Sequence, residues 1–308
     1  MNIFDIIDQT IEIPTETKYW FVRTDYGKYF DTFYENGFIA IGWNNIEVYE
    51  LNELSAHRFT IQQKLIHSEL IDSDTKMGKS KITSIINKLS KFVELKENDV
   101  VIIPDQNSGR YAFGTIIGDE TYTETEETLG CDHQKRRKVQ WHAQRTMQQL
   151  DPIFYKMRFT QHSISSIQEY APYIDAVIHP LFRKDDNTHL VLDILKKTDI
   201  NVEVLVQLMK NIQGLAMALN EEYNFGEQVD QSTIKINLQS PGKVEFIYPI
   251  GKSIILAALL IGMVACNFNR PDNDIENEIN LIRDRNRAQL NIISDSLDFL
   301  EAKCPEID

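Results

Sequence analysis

The chain has 308 residues, 42% of them hydrophobic and 10% aromatic, which is enough to bury a substantial core and fits two ordinary domains. Its formal net charge of −14 makes long-range attraction to nucleic acid unfavourable, so any phosphate binding requires a local basic patch. Three widely spaced cysteines exclude a disulfide framework, and an acidic N-terminus does not fit an export signal, so we expect a protein of the reducing cytoplasm.

Five strands and two helices are predicted between Lys18 and about His142, after an N-terminal extension of residues 1–17. The strands are rich in β-branched and aromatic residues and are bounded by turn residues; they fall at 18–24, 37–43, 98–105, 110–120 and 135–144. Apolar residues recur at helical spacing at 54–70 and 79–95, with lysines on the other face of the second helix. Short strands with few crossover helices favour an α+β fold with a small curled sheet or barrel.

The second half of the chain, residues 185–308, is predicted to be a mainly helical domain with one β-hairpin. Residues 146–184 are interpreted as a helical tail, so that the first domain spans 18–184 and ends in a cluster of Pro and polar residues. Apolar residues recur at helical spacing at 189–197 and 202–223. A hairpin is predicted at about 233–248, where alternating apolar residues lead into a Ser-Pro-Gly turn.

Two further segments each have two interpretations. The apolar run at about 250–268 has a length on the border between a buried helix and a membrane span, and the span would anchor the protein to the inner membrane. An amphipathic helix is predicted at about 274–303, with Asn286 inside an aliphatic stripe. This helix either forms a seam between copies of the chain, in which the Asn fixes register, or docks on its own domain.

Motifs of catalysis and cofactor binding are largely absent. Two Gly-Lys-Ser triplets, at 78–80 and 251–253, lack the glycine that a phosphate-binding loop needs five residues earlier. Cys131, His133 and His142 have spacing that matches no common zinc site. There is no GxSxG elbow and no convincing acidic residue paired with an ExK motif for Mg²⁺. We therefore predict no cofactor, no metal and no catalytic residue, and we favour binding over catalysis.

Three stretches of the first domain resemble a PUA/EVE-like module found at the front of Mrr-type restriction and other prokaryotic defence proteins. They are YWFVRTDYGKYFDTFYENGFIAIGWNN, LKENDVVIIPDQNSGRYAFGTIIGDETY and RRKVQWH. The marks are an aromatic strand ending in Arg23, the IGW that ends in Trp43, and the run Asn98-Asp99-Val100-Val101. The family usually has Gly before that Asp, but Asn98 can adopt the same turn. The second half of the chain carries no resemblance.

The resemblance implies an aromatic pocket, at the mouth of the barrel, that holds a flipped or modified base. Such a base needs aromatic faces, polar groups for its edge and cations for flanking phosphates. The candidate ligand-binding residues are Trp20, Arg23, Trp43, Arg110, Tyr111 and Trp141, and the candidate phosphate-binding residues are Lys135, Arg136, Arg137 and Lys138. These residues also have interpretations without a ligand. A strand tryptophan can belong to the core, an arginine can form an ion pair, and a basic run can lie on a solvated face.

The resemblance thus suggests a ligand-sensing component of a prokaryotic anti-phage defence system. It would bind a modified base, a nucleotide or nucleic acid, and it would signal through a C-terminal half that self-associates through its terminal helix and contacts a membrane or an effector chain. The alternative is a non-catalytic subunit that targets nucleic acid for a restriction-type complex whose nuclease is on another chain.

Overall fold

A computed structural model describes residues 11–125, 130–160, 162–237, 242–249 and 280–303. The chain divides into two compact units. Residues 17–178 form the first, and residues 11–16 with the described residues from His179 onward form the second. The boundary that the sequence placed at 184/185 falls inside a hairpin of the second unit, formed by Leu181–Lys184 and Asn187–Ile194.

The first unit is α+β and is built on a strongly curled, half-barrel sheet of six strands. They are β1 (Tyr19–Val22), β2 (Phe38–Ile41), β3 (Val100–Pro104), β4 (Arg110–Thr123), β5 (Lys135–Thr146) and β6 (Ile164–Ser166). Their order is β2-β5-β4-β3-β1-β6, in which β1 and β3 are parallel and the other neighbours are antiparallel. The five predicted strands are confirmed, and β6 is an addition from the predicted helical tail.

Five α-helices of the first unit are described. They are α1 (Phe30–Asn36), α2 (Val48–Asn52), α3 (Leu54–Ser68), α4 (Lys76–Val93) and α5 (Ala171–Ile178). The two predicted helices are confirmed as α3 and α4. Helix α4 starts after Thr75, whose hydroxyl accepts a hydrogen bond from the Gly78 amide, as an N-cap residue should. Its isoleucines, Leu89 and Phe92 are buried, Met77 in its first turn is exposed, and its lysines lie on the outer face.

The curled sheet is buried on both faces. Along β1, Trp20 and Val22 pack in a cluster with residues of α1, α3 and α4. Tyr19 and Phe21 pack in a second cluster, which includes the 3₁₀-helical segment Pro152–Phe159. Because successive side chains of a strand point to opposite faces, a strand covered on both sides is continuously apolar, as β1 is.

The second unit holds a five-stranded sheet and two long described helices. The strands are β7 (Leu181–Lys184), β8 (Asn187–Ile194), β9 (Thr233–Asn237), β10 (Gly242–Tyr248) and β11 (Ala302–Lys303), and the helices are α6 (Val202–Tyr223) and α7 (Arg287–Phe299). Helix α6 and the β9–β10 hairpin are confirmed. The helix predicted at 189–197 is wrong, since most of this stretch is β8. Leu190, Leu192 and Ile194 alternate into the core, so the described part of the unit contains a strand where a helix was predicted.

The described segment 280–303 packs on its own unit. Residues 280–285 are helical, and the helix is interrupted at Asn286, whose side-chain amide donates to the carbonyl of Ile282 at 3.0 Å. Beyond it, α7 buries Leu290, Ile293 and Leu297 in a cluster with residues of α6, as the docking interpretation predicts. The apolar run at 250–268 lies outside the described residues. No helix within the described ranges has the length and apolar character needed to cross a membrane.

Gly114 provides a test of the curled sheet. It lies at an irregularity of the β4–β5 ladder, where a Cβ would approach the carbonyl oxygen of Gln140 to 2.6 Å and the Trp141 ring to 2.7 Å. We expect Gly114→Ala to lower the free energy of unfolding by about 1–3 kcal/mol through overpacking. Gly109→Ala is the control, because its Cβ would meet nothing closer than 3.6 Å.

Urea unfolding followed by tryptophan fluorescence measures this effect in the first unit alone, because all three tryptophans of the chain lie there. Equal stability of the two variants would show that β4 and β5 do not approach as closely as described.

Candidate functional site

A cleft of about 790 Å³ opens in the first unit where β1 and β2 end. The residues that follow these two strands form much of its wall: Arg23, Asp25 and Tyr26 after β1, and Gly42, Trp43 and Asn45 after β2. The end of α3, with Ser68 and Glu69, forms another part, together with His133 and Ser163. The curled sheet therefore brings the ends of β1 and β2, which are separated in the sheet by β5, β4 and β3, to one concave surface.

Two aromatic side chains of the cleft lie on backbone that L-residues rarely adopt. Tyr26 has φ 55° and is 87% exposed, while Trp43 has φ 58° and is half-buried. Asp25 and Gly27 also have positive φ, of 50° and 92°, so that three consecutive residues are left-handed. Such conformations persist only where the surrounding structure enforces them, and they cluster at functional sites.

Lys135 holds the loop that carries Trp43. Its ammonium group is buried and donates hydrogen bonds to the carbonyl oxygens of Trp43, at 2.7 Å, and Ile46, at 3.0 Å. Burial lowers the pKa of Lys135 to about 8, although Glu47 and Glu50 oppose this change. Lys135 was predicted to bind phosphate; instead it is enclosed beneath the cleft and binds backbone.

The rest of the predicted basic run is also used internally, with one exception. Arg136 is buried, donates to the carbonyl of His133 at 3.1 Å and lies 4.4 Å from the centre of the Phe38 ring. Arg137 is fully buried and donates to the carbonyls of Asp119 and Gly118, each at 2.8 Å. Only Lys138 of the run is exposed. The prediction fails for the other three because β5 is an inner strand, where their side chains satisfy backbone carbonyls.

Four other predicted residues do not line the cleft: Trp20, Arg110, Tyr111 and Trp141. The Trp20 indole lies in the core and donates to Asp99 at 3.0 Å. The Trp141 indole donates to the carbonyl of Phe33 at 3.0 Å. Tyr111 is fully buried in the second cluster of the sheet. These three aromatic side chains therefore have their contacts within the packing of the first unit.

The two predicted arginines have different partners. Arg23 lines the cleft, and its guanidinium donates to the carbonyls of Arg158, at 3.3 Å, and Thr160. It is thus held by backbone oxygens rather than by the neighbouring carboxylates that the sequence suggested. Arg110 does form ion pairs, at 2.8 Å with Asp105 and 3.5 Å with Asp31. Of the predicted ligand-binding set, the structure brings Arg23 and Trp43 to the cleft.

His133 is a polar group of the cleft that the sequence considered only as a metal ligand. Its ring meets the Tyr29 ring edge-on at 4.9 Å, and burial lowers its pKa despite the opposing charge of Asp132. The imidazole is therefore held toward its neutral form, with a donor and an acceptor. Asp132 accepts a hydrogen bond from the Tyr29 hydroxyl at 2.8 Å, which lowers its pKa. Within the described residues no group of His, Cys, Asp and Glu side chains could hold a metal ion.

Tyr26 and Asn45 are cleft residues that the sequence analysis missed. Both lie in loops, where neither helical nor strand periodicity identifies the exposed face. The one available signal was the Asp25-Tyr26-Gly27 turn, because turns run mostly over the protein surface and an aromatic residue there has no strand or helix face to bury it. With them, the cleft offers two aromatic rings, a guanidinium, an amide, an imidazole and the carboxylates of Asp25 and Glu69. This set suits a planar, polar ligand.

Comparison with known proteins gives one family. Residues 19–168 match a family described as "Domain of unknown function (DUF8426)". The match covers the curled sheet from β1 to β6 and every cleft residue named above. No curated protein and no solved structure matches the chain.

The buried ammonium of Lys135 should make the free energy of unfolding depend on pH. The unfolded chain, with a lysine pKa of 10.5, binds more protons than the folded chain between pH 8 and 10.5. The free energy of unfolding should therefore rise with pH across this window, relative to that of Lys135→Met, by at most about 3 kcal/mol. Urea unfolding at several pH values measures the difference between the two proteins. A constant difference across the window would contradict the burial of a charged Lys135.

Proposed function

We propose that the cleft binds a single flipped-out or modified nucleobase, and that the chain is a ligand sensor of a prokaryotic anti-phage defence system. The observation that carries the proposal is the pair of aromatic rings, Tyr26 and Trp43, that line one cleft from left-handed backbone positions. An unstacked base needs such faces, because stacking on an aromatic side chain replaces the stacking that it lost.

The polar lining supports a base over a purely apolar ligand. Asn45 presents its amide oxygen as an acceptor, because its amide nitrogen donates to the Lys64 carbonyl and the Ser68 hydroxyl. His133 adds an imidazole to the lining, and Asp25 presents an acceptor for an exocyclic amino group. Arg23 adds a planar cation with fixed donors. Discrimination among bases follows from the same groups, because a buried polar group left unpaired by the wrong ligand costs about 1–3 kcal/mol.

The assignment of the first unit to the PUA/EVE-like superfamily is part of this proposal. It is supported by the curled sheet, by the cleft at the ends of β1 and β2, and by the positions of Arg23 and Trp43 at those ends. The module that it resembles holds its base at the mouth of a barrel, which corresponds to this location.

The output is proposed to pass through the second unit. Base binding would alter the self-association of the chain or its contact with a membrane through the apolar run at 250–268, and so engage an effector. The stripe of α7 is buried on α6 in the single chain, so the surface that self-associates must be formed by other residues.

Removal of either aromatic ring of the cleft should weaken binding. We expect Tyr26→Ala and Trp43→Ala each to reduce the affinity for the tightest-binding member of a panel of plain, methylated and hydroxymethylated oligonucleotides by about 10-fold or more, since base stacking contributes about 1–3 kcal/mol. Tyr49→Ala removes an exposed tyrosine outside the cleft and should leave affinity unchanged.

Fluorescence anisotropy with labelled oligonucleotides gives these affinities, and circular dichroism establishes that the variants fold. Unchanged affinity in Trp43→Ala, or no binding of any panel member by the natural protein, would count against the cleft as a base-binding site.

A further inference from the structure

A second concave surface of the first unit runs along the outer face of α4. This groove has a volume of about 470 Å³ and is lined by three lysines of the helix, Lys79, Lys88 and Lys91. The hydroxyl and amide side chains of α4 and the imidazole of His162 form most of the remaining wall. No carboxylate is among the described residues that line it. The groove is therefore a local basic surface on a chain whose formal charge is −14.

The three groove lysines differ from other lysines of the same region in their partners. Lys81, also on α4, pairs with Glu69 at 3.3 Å, and Lys64 on α3 pairs with Glu50 at 2.7 Å. No described carboxylate forms an ion pair with the groove lysines. Their charge is thus directed at the groove rather than neutralised by the protein. The first and last of them are 12 positions apart on the helix, about 18 Å at 1.5 Å per residue, which is enough for several consecutive phosphates.

Lys88 connects the groove to the cleft. Its Nζ lies 6.0 Å from the centre of the Trp43 ring, and Trp43 lines the cleft. A base stacked on Trp43 would have its own sugar and phosphate beside Lys88. The two surfaces therefore adjoin at the distance over which one nucleotide can contact both.

The cleft and the groove carry different charges, which suit different parts of a nucleotide. Asp25 and Glu69 line the cleft, where they disfavour a phosphate and can accept hydrogen bonds from a base. The groove offers ammonium groups and hydroxyls, which bind phosphate oxygens without regard to sequence. A free base or nucleoside would leave the groove unused.

We propose that the groove of Lys79, Lys88 and Lys91 binds the sugar-phosphate backbone of a single-stranded nucleic acid, one base of which occupies the cleft. This inference rests on the proposed function and specifies its ligand as a strand rather than a free nucleotide. A single strand fits better than a duplex, because its bases enter a cleft without the energy needed to break a base pair.

The test uses the full chain and a fluorescently labelled oligothymidylate of about 12 nucleotides, with affinity measured by anisotropy at several salt concentrations. Three phosphate contacts predict a plot of log affinity against log salt with a slope of about −2, since each contact on a single strand contributes about −0.7. The triple variant Lys79→Gln, Lys88→Gln, Lys91→Gln should bind at least about 10-fold more weakly and have a slope near zero.

A matched control removes the same charge elsewhere. Lys156→Gln, Lys197→Gln and Lys210→Gln change three exposed lysines outside the groove and should retain the slope and affinity of the natural protein. Equal effects of the two triple variants would overturn the proposal, because the groove would then add nothing beyond net charge. No binding by the natural protein at about 50 mM salt would overturn it as well.

The experiment separates this inference from the function on which it rests. If Trp43→Ala abolishes base discrimination while the groove variant leaves the salt slope unchanged, the cleft stands and the groove proposal falls. If the affinity of the groove variant no longer depends on salt while Trp43→Ala has no effect on affinity, the proposal of a strand-binding groove is supported and that of a base-binding cleft is contradicted. Tighter binding of a duplex of the same length than of the single strand would also contradict the proposal.

Discussion

The ammonium group of Lys135 lies buried beneath the loop after β2 and donates to the carbonyls of Trp43 and Ile46. A buried charge is tolerated only where hydrogen bonds replace its water, and here the backbone of the cleft supplies them. The same two bonds fix the left-handed Trp43, which lines the cleft and whose ring centre lies 6.0 Å from Nζ of Lys88 in the groove. The position of Trp43 in the proposed base-binding cleft therefore depends on one internal cation.

The periodic parts of the fold were predictable, because burial imposes a regular pattern on strands and helices. The strands β1 to β5, the helices α4 and α6, and the β9–β10 hairpin follow their patterns. Helix α3 was also predicted, although it buries only Ile61 and Leu65 and leaves Phe59 exposed. The strand β8 was mistaken for a helix because Val191, on the face opposite Leu190 and Leu192, is also buried, which removes the alternation that identifies a strand.

The candidate site was predictable only where it coincides with strand ends. Arg23 and Trp43 were found because they close β1 and β2, whereas Tyr26 and Asn45 belong to loops whose exposure no periodicity reveals. The prediction that the basic run of β5 binds phosphate failed for a different reason. A sequence shows which residues are charged but not what they bind, and Arg136 and Arg137 donate to backbone carbonyls. The sequence placed the lysines of α4 opposite its apolar face, but it could not show that three of them line a groove with no carboxylate among its described lining residues.

The three tryptophans allow one direct measurement of the central claim, that a base stacks on Trp43. The indole N–H of Trp20 donates to Asp99 and that of Trp141 donates to Phe33, so both are held inside the protein. Two-dimensional ¹H–¹⁵N NMR of the indole groups, recorded during titration with plain and modified nucleosides, should show the Trp43 signal shifting with at least one nucleoside while the other two stay in place. Three unmoved signals across the series, or shifts confined to Trp20 and Trp141, would contradict the account.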